Sequence, residues 1–165
     1  MVHVSPHAAV GEAPITEVRW DAGFWGGRVA QLASTALPSM WTHVLDDPSV
    51  GHAFANFRNA AGLEEGRHAG PPFFDGDLYK WLEAAASTYA ATRVPALARL
   101  MEEGVAVIAR AQRADGYLHT PVLIAQRRAD GAVRELSDRL HFEVYNLGHL
   151  MSAACRHREA TGSDA

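Results

Sequence analysis

Three short segments hold most of the side chains that could bind a ligand or act on one. The first, residues 73–86, contains Asp75, Asp77 and Trp81. The two carboxylates could hydrogen-bond sugar hydroxyls, and the indole ring could stack on a sugar face. The same residues also have ordinary structural roles: Asp75 could cap a helix N-terminus, Asp77 could lie in its first turn, and Trp81 could belong to the core. The spacing leaves both interpretations open.

The second segment, residues 112–120, places Tyr117 and His119 directly after the turn dipeptide Asp115-Gly116. Loops at the ends of helices and strands often line binding sites. His119 is therefore a candidate ligand-binding residue, although a single histidine is more often structural.

The third segment, residues 141–149, carries Glu143, Tyr145 and two histidines on one predicted helix. The order is not H-E-x-x-H and no third ligand is evident, so a zinc protease site is not supported. The structural interpretation is a packed helix with Gly148 at a close helix contact. Glu143 and Tyr145 are the candidate binding residues of this segment.

The sequence excludes several other chemistries, and for one more it does not set the distance between the reacting groups. Asp75, Asp115 and Glu143 could supply the carboxylate pair of an ordinary glycosidase, but the sequence does not set their separation. The chain contains no phosphate-binding loop, no dinucleotide fingerprint and no G-x-S-x-G elbow. Cys155 is the single cysteine, so this chain forms neither an intrachain disulfide nor a cysteine-based zinc site. We therefore assign no catalytic residue and no metal-binding residue to this chain.

Composition narrows the class of protein. The chain has 165 residues, of which 48% are hydrophobic and 21% charged, and this balance is typical of a globular domain. Its formal net charge of −4 argues against a nucleic-acid or anionic-membrane partner, because both bind basic surfaces. No apolar run approaches the roughly 18 residues of a membrane span, and residues 1–13 lack a signal-peptide pattern. We therefore expect a cytoplasmic protein.

The elements that must position these residues are predicted to be helices. Hydrophobic spacing of the 3.6-residue type predicts helices over residues 24–45, 75–89 and 95–114. Residues 52–61 could form a short helix that carries Phe54 and Phe57, and a final helix over residues 142–160 is predicted to stop at Thr161-Gly162. Residues 1–14 show no periodicity and are predicted to be a flexible tail, and residues 15–20 alternate like a short strand. Within residues 117–134, Asp130-Gly131 stands between apolar residues and predicts one short β-hairpin.

The predicted fold class is mainly α, built from helical hairpins with that single β-hairpin. Two or three helical hairpins bury one face each, and their second face normally meets a further hairpin. The chain is therefore expected to be part of a larger helical domain. An exposed apolar face would also favour self-association.

Taken in order, five motifs resemble glycoside hydrolase family 127, the β-L-arabinofuranosidase-like enzymes. They lie in residues 21–28 (DAGFWGGR), 54–62 (FANFRNAAG), 75–86 (DGDLYKWLEAAA), 108–120 (IARAQ leading into DGYLHT) and 143–149 (EVYNLGH). The resemblance covers roughly residues 15–162. It implies that residues 15–165 are the N-terminal portion of an (α/α)6-barrel catalytic domain, apparently truncated.

The resemblance also implies a chemistry. Members of this family are retaining enzymes that release β-linked L-arabinofuranose from plant glycans, with a cysteine thiolate as nucleophile, a glutamate as acid/base, and a zinc ion that keeps the thiolate deprotonated. Those residues are expected downstream of this chain, so we expect no cofactor here and zinc only in the full-length enzyme. The expected substrate is a carbohydrate.

The expected substrate-binding residues are Asp75, His119, Phe142, Glu143 and Tyr145. Phe142 departs from the family pattern, which has a sugar-contacting histidine at the matching position, and His141 stands one residue earlier. One residue turns a helical side chain by about 100°, so His141 does not replace it directly. The sugar is therefore not fixed by the resemblance.

Three functions remain open from the sequence. The chain is a glycosidase fragment that contributes sugar contacts without the catalytic groups, or a non-catalytic helical carbohydrate-binding or structural module derived from such an enzyme. The third is a different helical-barrel enzyme that uses carboxylates of this chain, such as Asp75 and Asp115.

Overall fold

The computed structural model describes residues 6–7, 9–11, 13–131 and 133–164. The predicted tail, residues 1–14, falls in part outside the described residues, which do not include 1–5, 8 and 12. Within the described ranges the regular structure is helical, and no strand is formed. No helix in those ranges is both long enough and apolar enough to cross a membrane.

A long helical segment opens the fold. It begins as α1 (Gly23–Gln31), continues through a π-helical turn (Leu32–Ala36) into α2 (Leu37–Met40), and ends in a second π-helical turn (Trp41–Leu45). The helix predicted over residues 24–45 is thus confirmed. Pro38 lies in the first turn of α2, where the fixed φ of proline is compatible with a helix.

The remaining helices follow with short connections. They are α3 (Ala53–Ala60), α4 (Phe74–Thr92), α5 (Pro95–Ala111), α6 (Thr120–Arg127) and α7 (Glu143–Thr161). Single 3-10 turns lie at Ile15–Glu17 and Arg139–His141. The helices predicted over residues 52–61, 75–89, 95–114 and 142–160 are thus confirmed as α3, α4, α5 and α7. Gly162, in the left-handed conformation with φ 76°, ends α7 as its position predicts.

Two segments that the sequence indicated as extended are helical. The predicted β-hairpin is wrong, because residues 120–127 form α6 with Pro121 in its first turn. The apolar run Val122 to Ala125 is buried on all sides, so it lacks the one-sided periodicity that identifies an amphipathic helix. The strand-like residues 15–20 begin with the 3-10 turn Ile15–Glu17 and form no strand pairing.

The core lies around α4. This helix packs most extensively against α7 and also against α5, while α3 packs against α4, α5 and α6. The ring of Trp81 is 4.7 Å from that of Trp41, and its indole Nε1 donates a hydrogen bond of 3.0 Å to the carbonyl of Leu37. Trp81 is therefore a core residue and not a sugar-stacking one. The buried side chains of the helices form one continuous cluster.

Candidate functional site

A cavity of about 360 Å³ lies at the N-terminal end of α7. Small-molecule sites in proteins have volumes of about 300–1,000 Å³, so the cavity could hold a sugar ring. Its walls are formed by Leu136, Asp138, Arg139, Phe142, Glu143, Val144 and Tyr145. The lining thus combines ionisable side chains with two aromatic rings, as carbohydrate ligands require.

The aromatic wall depends on the backbone at Phe142. This residue precedes α7 in the left-handed conformation, with φ 59°, which costs a non-glycine residue about 1–2 kcal/mol. Its ring packs edge-on against Phe73 at 5.6 Å and against Tyr145 at 5.9 Å. Aromatic contacts of this geometry contribute about 0.5–1.5 kcal/mol each and so offset much of the strain. Phe142 and Tyr145 remain partly exposed to the cavity.

Glu143 is the first residue of α7, and its carboxylate is held from two sides. One oxygen, Oε1, accepts a short hydrogen bond from the hydroxyl of Tyr117, and Oε2 accepts one of 2.8 Å from the backbone N–H of Leu136. The residue is only 8% exposed, so these two donors replace water. A negative charge in the first turn is also stabilised by the helix dipole. Glu143 is therefore a fixed acceptor in the cavity wall.

The phenol of Tyr117 stays protonated and therefore remains a hydrogen-bond donor to the carboxylate of Glu143. Burial raises its pKa, and the hydrogen bond to Glu143 and the negative charge there raise it further, well above the ordinary value. The hydroxyl consequently keeps its proton at neutral pH. The side chain of Tyr117 also packs under the guanidinium of Arg113, 4.8 Å from the ring centre.

A polar edge borders the aromatic wall. The ammonium of Lys80 lies 5.1 Å from the ring centre of Tyr145 and 3.5 Å from Oδ1 of Asp77. Hydrogen bonding to Tyr145, with the charge of Asp77, raises the pKa of Lys80, so the ammonium is charged at neutral pH. The ring of His149 also packs edge-on against that of Tyr145, with 4.6 Å between the ring centres. This edge offers one positive and one negative charge beside the exposed face of Tyr145.

Asp75 and His119 lie together in the interior rather than in the cavity wall. Both are fully buried. The carboxylate of Asp75 accepts two hydrogen bonds from Thr120, one of 2.7 Å from its backbone N–H and one of 2.5 Å from its hydroxyl. Nδ1 of His119 is 3.3 Å from Oδ2 of Asp75, but the angle is unsuited to a hydrogen bond, and both imidazole nitrogens lack a partner within the described part of the chain.

Further buried polar groups surround this pair. Tyr79 is buried and its hydroxyl has no hydrogen-bond partner among the described residues. Burial and the charge of Asp75 raise the pKa of Tyr79 well above its usual value. Burial lowers the pKa of His68 although the nearby Asp75 opposes that shift. The region behind the cavity is therefore unusually rich in ionisable side chains for a protein interior.

The structure thus separates the predicted binding residues into two groups. Phe142, Glu143 and Tyr145 are brought together at the cavity, whereas Asp75 and His119 lie behind it. The alternative role of Asp75 as a helix cap is wrong, because α4 starts one residue earlier and its N-terminus receives no side-chain hydrogen bond. Whether any of the five contacts a sugar stays a prediction.

The carboxylates are not arranged as an obvious catalytic pair. Asp75 is fully buried and bound to Thr120. Asp115 is on the surface in an ion pair with Arg113, which lowers its pKa to about 2. Neither residue lines the cavity beside Glu143. The interpretation as an enzyme that uses Asp75 and Asp115 therefore has no support in the geometry.

Sequence reasoning did not select two residues of the site. Tyr117 follows the Asp115-Gly116 turn, but its position in the sequence predicts no binding role, because its contact with Glu143 joins residues 26 positions apart. Asn146 was missed altogether. It is buried, its amide Nδ2 donates a 3.0 Å hydrogen bond to the carbonyl of Pro72, and its Oδ1 is unpartnered within the described ranges. A polar residue on the α4-facing side of α7 was the signal that could have revealed it.

The described residues form no group of side chains suited to a metal ion. Within residues 13–131 and 133–164 no three histidine, cysteine, aspartate or glutamate side chains are grouped so that they could hold a metal ion. Cys155 is exposed on α7. The described residues therefore do not fit a zinc site, and we derive no step through a metal.

The known proteins that this chain resembles in sequence and in structure are arabinofuranosidases. A non-reducing end β-L-arabinofuranosidase of Bifidobacterium longum subsp. longum is 38% identical over 157 residues, covering 86% of this chain and 24% of that protein. Among solved structures, the glycoside hydrolase family 127 β-L-arabinofuranosidase of Geobacillus stearothermophilus T6 superposes with a TM-score of 0.76 and 34% identity over 86% of this chain and 22% of its own.

A second family 127 structure, a β-arabinofuranosidase, has a TM-score of 0.74 and 27% identity, and the match covers 92% of this chain and 24% of that chain. The chain therefore spans about a quarter of the length of these relatives. The family model described as β-L-arabinofuranosidase, GH127 catalytic domain, matches residues 17–165, nearly the whole chain. The chain belongs to glycoside hydrolase family 127, as its ordered motifs indicated, and corresponds to an N-terminal region of the catalytic domain.

Proposed function

We propose that this chain forms part of the sugar-binding surface of a retaining glycoside hydrolase that acts on β-L-arabinofuranosides or related plant-glycan sugars. The observation that carries the proposal is the cavity at the start of α7, where the fixed carboxylate of Glu143 stands beside the exposed rings of Phe142 and Tyr145. A carboxylate accepts hydrogen bonds from sugar hydroxyls, and an aromatic ring packs on the apolar face of a sugar. The names of the relatives support this substrate class.

In this proposal the chain supplies part of an (α/α)6 barrel, and the nucleophile, the acid/base and the zinc ligands come from elsewhere in the complete enzyme. The support for it is that the chain corresponds to about a quarter of the length of each relative.

The binding test titrates the chain with methyl β-L-arabinofuranoside and follows backbone amide resonances by NMR. We expect millimolar affinity, with the largest shifts at Phe142, Glu143 and Tyr145. Glu143→Gln should weaken binding about tenfold, since it replaces a charged acceptor, whose hydrogen bonds are worth about 1.5–3 kcal/mol, by a neutral one worth about 0.5–1.5 kcal/mol, a loss of about 1.4 kcal/mol. The matched control is Glu159→Gln, which removes a carboxylate from the exposed far end of the same helix and should bind as the parent does. Shifts that are absent, or that are equal in both variants, would refute the proposal.

The catalytic part of the proposal has its own assay. The isolated chain should release 4-nitrophenol from 4-nitrophenyl β-L-arabinofuranoside no faster than buffer alone does. Turnover that survives repeated purification, and that depends on Glu143, would contradict the placement of the catalytic groups elsewhere.

A second function, a non-catalytic helical module that binds carbohydrate or serves a structural role, is favoured by the continuous core that α4, α5 and α7 build together. A segment with its own core should unfold cooperatively. A single sharp thermal transition would support such a module. A dye-binding species without a transition would count against it.

A further inference from the structure

We propose that Asp75 and Tyr117 are positioning residues: Asp75 holds the segment between α5 and α6, and through that segment Tyr117 holds the carboxylate of Glu143 in the cavity wall. The sugar contact of Glu143 rests on the proposed function. The coupling between Asp75 and Glu143 does not, because it is a property of the folded chain.

The first step is the attachment of α6 to α4. Both oxygens of the Asp75 carboxylate are occupied by Thr120, the first residue of α6, at 2.7 Å from its N–H and 2.5 Å from its hydroxyl. The two residues are 45 positions apart and the carboxylate is fully buried. Hydrogen bonds to a buried charge are among the stronger ones in proteins, so this contact fixes where α6 begins.

The second step is the segment that precedes α6. Thr120 is three residues after Tyr117, and His119 between them is extended, with φ −161° and ψ 111°. At its other end the segment is bound to the turn before it, because the N–H of Tyr117 donates to Oδ1 of Asp115 and the carbonyl of Tyr117 accepts from the N–H of Arg113, both at 3.1 Å. Anchored at both ends, the backbone of Tyr117 has one position.

The third step is the contact with Glu143. The Tyr117 hydroxyl donates to Oε1 of Glu143, and the remaining oxygen accepts from the backbone of Leu136. Leu136 belongs to an irregular connection and has a positive φ of 49°. The Tyr117 hydroxyl is thus the side-chain donor that links this carboxylate to the helical core. Loss of the Asp75 contact would leave this segment held only at its α5 end, by Asp115 and Arg113, and would let the Tyr117 hydroxyl move away from Glu143.

The test measures the ionisation of Tyr117 by NMR in chains that carry ring-labelled tyrosine, with Tyr117→Phe to assign its resonance. In the parent chain the Tyr117 signal should remain that of the protonated phenol beyond the ordinary titration near about pH 10. In Asp75→Asn, Tyr117 should separate from Glu143 and titrate at a lower pH than in the parent, because the part of the upward pKa shift that comes from Glu143 is lost. The matched control, Asp77→Asn, removes an exposed carboxylate from the same turn of α4 and should leave the signal as in the parent.

A purely structural role for Asp75 predicts a different result. The melting temperature of Asp75→Asn would then fall while the Tyr117 titration stayed as in the parent, and that result would overturn the proposal. If Asp75→Asn does not fold, Thr120→Val removes the hydroxyl donor alone and should lower the Tyr117 titration in part, whereas Thr120→Ser should restore it. Equal titration in the valine and serine variants would overturn the proposal as well.

Sugar binding separates this inference from the proposed function. Asp75→Asn and Tyr117→Phe should weaken binding of methyl β-L-arabinofuranoside by about as much as Glu143→Gln does, roughly tenfold for one lost interaction of this size. If neither the parent nor any variant binds the sugar, but Asp75→Asn still lowers the pH at which Tyr117 titrates, the proposed function fails and the positioning role stands. If the sugar binds and Asp75→Asn changes neither readout, the positioning role fails alone.

Discussion

The helices α4 and α7 have the same length, 19 residues, and pack against each other, but they use their surfaces differently. α4 buries residues around most of its circumference, including Leu78, Tyr79, Trp81 and Leu82. α7 buries one face and exposes apolar side chains on the other, with Val144 74% exposed and Met151 63% exposed.

The difference is that between a helix that is surrounded and a helix with one partner. α4 is contacted by α7 on one side and by α5, α3 and the first helical segment on others. α7 receives most of its packing from α4 alone. The site residues Glu143 and Asn146 lie on the packed face of α7, and the aromatic ring of Tyr145 lies on the open side. The comparison can be tested at matched positions in the two helices.

The largest effect is expected in the interior of α4. Trp81→Ala removes a buried ring that packs on Trp41 and donates to the carbonyl of Leu37, and it should lower the free energy of unfolding by about 3–5 kcal/mol. Met151→Ala on the exposed face of α7 should change it by no more than about 0.5 kcal/mol. Urea denaturation followed by circular dichroism gives both values. Similar losses in the two variants would remove the distinction between the helices.

Alanine substitution of one glycine in each helix compares the two helices more sharply. A Cβ on Gly76 of α4 would come within 2.7 Å of Oδ1 of Asn146, whereas a Cβ on Gly148 of α7 would meet nothing within 4 Å. Gly76→Ala should therefore destabilise by about 1–3 kcal/mol, and Gly148→Ala should stabilise by about 0.5–1 kcal/mol. The expectation that Gly148 lies at a close helix contact is thus wrong, and Gly76 has that position.

A double-mutant cycle locates the cause. In an Asn146→Ala background the crowding at Gly76 is relieved, so Gly76→Ala should cost less there than in the parent. Thermal unfolding of the four chains measures the coupling. The same cost in both backgrounds would mean that the clash is not with Asn146.

A smaller effect is expected from pH. Burial lowers the pKa of His68, beside α4, and of His157, in α7, although Asp75 and Glu102 oppose the two shifts. Because each histidine is more easily protonated in the unfolded chain, its stabilising contribution is complete above the unfolded pKa of about 6.5 and is lost as pH falls through the folded value. The melting temperature should decrease between about pH 7 and 5. His68→Gln with His157→Gln should flatten that decrease, and an unchanged slope would contradict the assignment.

The smallest effect on stability is expected on the open face of α7. Val144, Leu147 and Met151 are spaced by three and four residues and form one exposed apolar stripe. Replacing all three by Gln should change the free energy of unfolding by no more than about 0.5 kcal/mol per site. If this stripe causes self-association, light scattering should show larger species for the parent than for the triple variant. A monodisperse monomer in both cases would contradict that role.

The sequence by itself determined the family and most of the helices. The ordered motifs from DAGFWGGR to EVYNLGH indicated glycoside hydrolase family 127, and the family match over residues 17–165 agrees. The helix α5 is recognisable because apolar residues recur every three to four positions on its buried face, and the end of α7 is recognisable from Gly162. Phe142, Glu143 and Tyr145 are neighbours along the chain, so their meeting at one cavity followed from their positions at the start of α7.

Only the tertiary structure decided what depends on distant contacts. α6 is buried on all sides, so its apolar run carries no helical period, and the sequence predicts a β-hairpin there. Asp75 was open to two interpretations and has a third role, since its partner Thr120 is 45 residues away in sequence. The hydrogen bond from Tyr117 to Glu143 crosses 26 residues. A sequence pattern indicates contacts between residues about one helical turn apart. The hydrogen-bond donors of a buried carboxylate depend instead on how separate helices pack against one another.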